Sequence, residues 1–453
     1  VLVLIYLIVC PLVLLYSFGY VFQPEEKEIS RTGLVHIDTV PAGAHIYLGK
    51  SHYKYRTPAS ITDLQPGEYQ ISVRLEGYRP WNRRITVRPG KATAFNNIIL
   101  LPDEIVPVDL FPETRFKDSK DLAGTRYLIV QKGSHLEELN VFDRQREELL
   151  PLLAQNGKNS DFATASLFSQ KNSALIVVFG GLLWDRKYFS VHLAEKERSL
   201  TDITELVTEH PESFKWNDNA PDHIYTIHKD HVNRLNIKTG SVEPKYFDNV
   251  KGFGLSDKWL YVLNTENILL RYTPDKKKQS KIFEDERLGK DLFTESQYYS
   301  IEELKKQILL FHGDNGDLIT TIPPYRISEG NVSGVNYNEK QSILSFWSKT
   351  SIWTADHNVK AGDLLFKDRV LVNKVYDDGD NILQCFWVRN ATHILFKDAD
   401  NVYLLEIDPD KDPHKEFIVK VRPGTEISYF EKTGSLYYIN SEKKLMKMEI
   451  IPG

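Results

Sequence analysis

Between Tyr69 and Leu75 polar and apolar residues alternate without a break, with Ile71, Val73 and Leu75 on one side and Gln70, Ser72 and Arg74 on the other. That two-residue period is the signature of a half-buried strand. Leu34–Ile37, Ala44–Leu48, Ile85–Val87 and Ile98–Leu100 read as further strands, with Ile46 and Leu48 sharing a face. Gly49-Lys50, Pro66-Gly67 and Pro89-Gly90 stand between them as turns. The Pro-Gly pairs predict type II geometry, because Pro presets the first central φ and Gly supplies the positive second one. No helical period of useful length interrupts this stretch, so residues 30–102 predict a small β-sandwich.

The first 22 residues follow another pattern. Val1–Phe22 contains no charged side chain. As a helix it would be about 33 Å long, enough to cross a hydrocarbon core of about 30 Å. Pro11 would kink it, and Tyr16 and Tyr20 suit an interface. A cleaved signal peptide is the rival, but the run is longer than an ordinary signal core and no small-residue cleavage site follows. A lipoprotein reading through Cys10 meets the bulky Leu7-Ile8-Val9 before it. Glu25, Glu26, Lys27 and Glu28 follow the run, a net acidic flank unlike the basic flank of a cytoplasmic side. Residues 1–22 are therefore expected to be a single membrane span, with the bulk of the chain extracytoplasmic. The opening on Val1 without a basic flank leaves two expectations, an upstream start or an unusual start codon.

The ordered elements Pro41-Ala42-Gly43-Ala44-His45-Ile46-Tyr47-Leu48, Thr57-Pro58, Leu64-Gln65-Pro66-Gly67-Glu68-Tyr69 and Gly77-Tyr78-Arg79-Pro80-Trp81 carry a resemblance. The stretch resembles a PEGA domain, named for a Pro-Glu-Gly-Ala turn before a strand. Ala42 departs at the Glu position, whereas Pro41 and Gly43, which shape the turn, are kept. The resemblance implies an envelope protein of bacterial or archaeal type with an interaction role, and no reaction. Tyr78, Pro80 and Trp81 suit either a cap on the sandwich core or an exposed aromatic grip. Lys50, His52, Lys54 and Arg56 suit a solvated charged hairpin or a site for an anionic polymer.

Leu101–Pro107 reads as a linker, and residues 103–453 as a β-propeller. Eight strand-turn-strand units begin at Arg126–Val130, Ala174–Val178, His223–Ile227, Trp259–Leu263, Gln307–Phe311, Ile343–Trp347, His393–Phe396 and Leu436–Ile439. Their starts are roughly 44 residues apart on average, the period of propeller blades. In the seventh unit Ile382–Trp387 precedes the hairpin of Ile394–Lys397 and Val402–Asp408 around Asp398-Ala399-Asp400-Asn401. This unit resembles repeats of the TolB and WD40-like propeller superfamily, in which a Trp precedes a turn and the hairpin ends near an Asp. Eight blades are expected, with seven as the alternative because the fifth unit is poorly patterned. Stacked β-sandwiches are the rival fold. The eighth hairpin ends the chain without an outer strand, and Ile105–Phe111 is expected to supply it. A short helix is expected within 285–310.

Composition narrows the function. The chain has 453 residues, 41% hydrophobic and 26% charged, which suits two or three globular domains. A net charge of −5 gives no basic footprint for nucleic acid. Cys10 and Cys385 are the two cysteines, too few and too far apart for a Cys-based metal site. No nucleophile elbow, phosphate loop or His-Glu-x-x-His motif occurs. His223, His228 and His231 form the tightest histidine group; two of them flank a Lys-Asp turn and would suit a metal or an ordinary solvated hairpin. Asp314-Asn315-Gly316-Asp317, Asp377-Asp378-Gly379-Asp380 and Asp408-Pro409-Asp410 lack the full calcium-loop spacing and read as hairpin turns. No catalytic, cofactor-binding or metal-ligating residue is assigned, and no cofactor is expected.

The leading expectation is a non-catalytic, membrane-anchored cell-envelope protein, held by residues 1–22, that serves as a scaffold for a protein or cell-wall glycan. An extracytoplasmic propeller hydrolase or lyase is the alternative, as is a sensor subunit with a missing cytoplasmic part.

Overall fold

The computed structural model describes residues 9–10, 13, 20–23, 28–122, 125–133, 139–151, 162–169, 174–179, 186–193, 200–217, 219–282, 291–357, 370–407 and 414–451. These fall into two compact units: residues 1–108 with 429–436 and 447–453, and residues 109–428 with 437–446.

In the first unit, β1 (Tyr20–Gln23) and β2 (Glu28–Arg31) pair as a hairpin, with Tyr20 opposite Arg31. The helix expected through Val1–Phe22 therefore stops short of its predicted end, since Tyr20, Val21 and Phe22 place their backbone groups in a ladder. Val9, Cys10 and Val13 are helical, and the other positions of the run lie outside the described residues. Among the described residues no helix is long and apolar enough to cross a membrane.

The sandwich is built from β3 (Gly33–Val40), β4 (His45–Leu48), β5 (Ser51–Arg56), β6 (Ala59–Leu64), β7 (Gly67–Arg74), β8 (Trp81–Val87) and β9 (Ala92–Ile99). One sheet runs β6-β3-β9 and the other β5-β4-β7-β8. Val35, Ile37, Ile46, Ile71, Val73 and Ile85 meet in the core between them. Trp81 is 2% exposed and stands edge-on to Phe95 at 5.4 Å, so it belongs to that core. Tyr78 packs against the core edge and Pro80 is exposed.

The stretch expected as a solvated charged hairpin is strand β5, paired antiparallel with β4, and β6 follows it. An edge strand keeps few apolar positions to mark it, and five of the six residues of β5 are exposed. Pro89-Gly90 is a tight turn, with Lys91 N–H donating to Arg88 O and Gly90 at φ +62°. Pro66-Gly67 departs from the expected type II turn, because Gly67, at φ +155°, already belongs to β7. The linker begins later than expected: Leu100 and Leu101 are buried, and Arg79 N–H donates to Leu101 O.

In the second unit the chain runs through successive antiparallel four-stranded meanders at 118–151, 162–202, 213–248, 334–376 and 382–420. Residues 250–281 and 299–328 form two more, joined edge to edge by a parallel pairing of Val250–Leu255 with Tyr299–Glu303. In a last sheet the same unit brings together Asp109, residues 445–446, residues 437–439 and Ser428. The segment 105–111 thus contributes a strand beside the C-terminal one, and Leu110 N–H donates to Leu445 O at 3.1 Å. Each apolar run read from the sequence as the first strand of a unit is the second strand of its meander. Second strands lie inside the sheet and are apolar on both faces; Tyr127–Gln131 and Ser435–Ile439 are buried throughout. Within 285–310 the described residues hold a helical pair, Asp291–Leu292, and the 3-10 turn Lys305–Gln307.

Candidate functional site

Among the described residues, two places concentrate chemistry. The first is the end of the 213–248 meander. His223–Ile227 and His231–Asn236 are hydrogen-bonded neighbours, and the turn between them holds His228 and His231. Ser213 pairs with Ile227, so the segment leading into Ser213–Trp216 arrives at the same end and brings Glu209. His228 and His231 are 6% and 8% exposed, with rings stacked at 4.5 Å and 7°. One Glu209 carboxylate oxygen lies 3.8 Å from His228 Nδ1 and 3.3 Å from His231 Nε2.

The other ring nitrogens are also occupied. His228 Nε2 meets the Thr226 hydroxyl at 3.1 Å and the Asn233 amide nitrogen at 3.2 Å. His231 Nδ1 meets Asp230 Oδ1 at 2.7 Å. Burial lowers the pKa of His228, neighbouring His231 lowers it further, and Glu209 and Asp230 oppose both. His231 in turn holds the carboxyl of Asp230 below its ordinary range through their hydrogen bond. His223, grouped with the other two by sequence spacing, sits at the opposite end of its strand, 3.4 Å from Asn236 Nδ2. Glu209, Thr226 and Asn233 have no sequence spacing that marks them; the antiparallel register alone brings them together.

The second place is the outer face of β5-β4-β7-β8. His45 is opposite Arg74 and Arg56, Tyr47 opposite Ser72 and His52, and Gln70 opposite Arg84. The cationic cluster seen in the sequence therefore extends across the sheet, with Arg56, Arg74 and Arg84 sharing a face and Lys54 exposed on the edge strand. The Arg74 guanidinium lies 5.0 Å from the Tyr47 ring centre, and His45 Nδ1 is 2.9 Å from His52 Nε2. Glu68 stands 4.0 Å from Arg84 on the same face.

The acidic turns serve the fold. Asp317 is buried, pairs with Arg326 at 3.2 Å and accepts from Gly330 N–H. In the turn at 377–381 the Asp380 and Asn381 N–H groups donate to the Asp398 carboxylate. Asp408-Pro409-Asp410 lies outside the described residues. In the sandwich, the Thr57 hydroxyl ties the Pro41–Ala44 turn: it accepts from Ala44 N–H at 2.9 Å and lies 2.6 Å from the Thr39 hydroxyl.

The model of the PEGA domain matches residues 32–99, so a PEGA domain occupies the sandwich. No curated protein matches the chain. Among solved structures, the β-propeller domain of Myceliophteria thermophila Cps50 (Swd1) is similar at 9% identity and a TM-score of 0.41, covering 77% of this chain and 98% of that one. The computationally designed Ika8 protein is similar at 11% identity and a TM-score of 0.43, covering 75% of this chain and 97% of that one. PorZ, a surface component of the type-IX secretion system of Porphyromonas gingivalis, is similar at 11% identity and a TM-score of 0.41, covering 95% of this chain and 71% of that one.

Proposed function

We propose that this chain is a non-catalytic scaffold of the cell envelope that binds an anionic cell-wall glycan polymer. The apolar run ahead of Tyr20 acts as its membrane anchor, and the bulk of the chain lies outside the cytoplasm. Residues 103–453 act as an eight-bladed propeller, a reading supported by the succession of four-stranded meanders and by a last sheet drawn from both ends of the region. Rigid meanders carry their loops as a frame on which binding surfaces vary.

The observation that carries the reading is the sheet face with Arg56, Arg74, Arg84 and the His45–His52 pair around Tyr47. A chain of net charge −5 gathers cations there with Glu68 as the acidic residue among them. Such a surface attracts a polyanion through several weak contacts at once, and salt screens them together. Sedimentation with cell-wall sacculi tests this. The full chain is expected to sediment with sacculi that carry their anionic polymer and to be released by roughly 0.5 M salt. The Arg56→Glu/Arg74→Glu variant is expected to stay in the supernatant. Equal binding to sacculi stripped of the polymer, or undiminished binding by the variant, overturns the reading. Recovery of the full chain in the alkaline wash of membranes would remove the anchor from it.

A further inference from the structure

We propose that Glu209, His228 and His231 bind one divalent transition-metal ion, of which zinc is the expected species. The inference is independent of the polymer-binding surface. His228 Nδ1, His231 Nε2 and a Glu209 oxygen lie within 4.8 Å of one another. Ligand atoms around tetrahedral zinc at about 2.0–2.1 Å stand about 3.3–3.4 Å apart. Glu209 and His231 Nε2 already have that spacing at 3.3 Å, and His228 Nδ1 at 3.8 Å has half an ångström to close. Two imidazoles and a carboxylate with one side open to solvent are the donor set of zinc sites that keep an exchangeable position. Glu209, 61% exposed, is the side from which an ion enters.

The surroundings resemble the outer shell of such a site. Asp230 takes the Nδ1–H of His231, which leaves the Nε2 lone pair directed at a carboxylate. Two acceptors facing each other repel unless a cation sits between them. A metal ion between them would turn that repulsion into two coordinate bonds. Asn233 adds a constraint on His228. Its carbonyl oxygen accepts from Lys245 N–H at 2.7 Å, so its amide N–H points at His228 Nε2. This arrangement favours a proton on Nδ1 in the metal-free protein. The Thr226 hydroxyl both donates and accepts, and it receives the Nε2–H when a metal displaces the proton from Nδ1. The stacked rings impose a second adjustment, because a metal must lie near the plane of each ring it binds. Loading therefore requires the stack to open: the exposed Asp230 follows His231 as it turns, and the exposed Glu209 carboxylate follows Nε2 to keep its spacing.

The test is titration of the untagged, chelator-treated full chain with zinc by calorimetry, and with cobalt(II) followed by its visible absorption. Binding of one equivalent is expected, with tetrahedral cobalt bands and affinity that falls as the pH is lowered, because a ligating imidazole nitrogen must be free of its proton. Glu209→Gln and His231→Asn are expected to weaken binding by about ten- to a hundred-fold or more. Glu209 is exposed, so its variant retains the fold, which circular dichroism checks. Asn233→Asp places an acceptor at Nε2, favours the Nε2–H tautomer and is expected to tighten binding by about tenfold. Absence of stoichiometric binding, or equal affinity in folded Glu209→Gln, overturns the site. Weakened rather than tightened binding in a folded Asn233→Asp overturns the assignment of His228 Nδ1 as a ligand.

Discussion

His393 shows how much one buried side chain governs. It lies in the interior of the 382–420 meander, 3% exposed, with Nδ1 at 2.9 Å from the Thr392 hydroxyl. Burial pushes its pKa down to about 3, and nearby His414 adds to the effect. The folded protein therefore holds it neutral, whereas the unfolded chain takes up a proton near pH 6.5. Above that pH the group adds nothing to the slope of stability. As the pH falls from about 6.5 toward about 3, the unfolded state binds the extra proton and stability declines by up to about 1.4 kcal/mol per pH unit. Denaturant titrations at about pH 7.5 and pH 5 are expected to show the wild type losing about 2 kcal/mol more than His393→Gln. Thr57 is a different case at the same scale. The pair Thr57-Pro58 was legible as part of an ordered motif, but its hydroxyl's role as the clasp of the Pro41–Ala44 turn appears only when the strands are folded together.

Among the elements, legibility follows apolar content. The second strands of the meanders were readable one by one because each is apolar on both faces. The first and fourth strands are shorter or more polar, and β5 showed only as a charged hairpin because an edge strand spends its residues on solvent. The parallel junction between Val250–Leu255 and Tyr299–Glu303 was equally hidden, since nothing in an alternating pattern specifies a partner some fifty residues away. Its cause is nonetheless written in two residues. A Cβ on Gly252 would stand 2.9 Å from Tyr299 O, and one on Gly254 would stand 2.5 Å from Ile301 O. The two strands approach as closely as they do because these positions carry no side chain. Gly254→Ala is expected to cost about 1–3 kcal/mol, as overpacking does. Hydrogen exchange should become faster at the amides of Tyr299–Glu303 and stay slow in the distant Ile394–Phe396; unchanged protection at the junction would count against the close-approach argument.

At the scale of the whole C-terminal unit, a buried ion pair links segments far apart in sequence. Arg144 is 2.9 Å from Asp121, and it also donates to the Ser428 hydroxyl and to Thr125 O. Ser428 in turn donates to Asp121 at 2.5 Å. Burial raises the pKa of Asp121 and lowers that of Arg144, with each partner opposing the shift of the other. Arg144→Ala leaves Asp121 buried without its counter-charge and is expected to cost about 3–5 kcal/mol. The double variant with Asp121→Ala should recover part of that loss in a denaturant titration, because the stranded charge is gone. None of this was legible beforehand: the repeat period pointed to a closing strand at 105–111, but a period carries no information on which charges meet. The histidine cluster was likewise half visible, its two histidines by spacing and its carboxylate not at all.

The hydrogen bond from Leu110 to Leu445 sets a clock on biosynthesis. The two residues are separated by most of the unit, and at about 5–20 residues per second the ribosome needs roughly 17–70 s to make the second after the first. Throughout that interval the strand near Asp109 has no partner, and the sheet it belongs to does not exist. Until Leu445–Glu449 has been made, this part of the chain stays open to proteases. A nonsense mutation at Leu445 would make that exposure permanent, and the cell would read the product as unfinished protein.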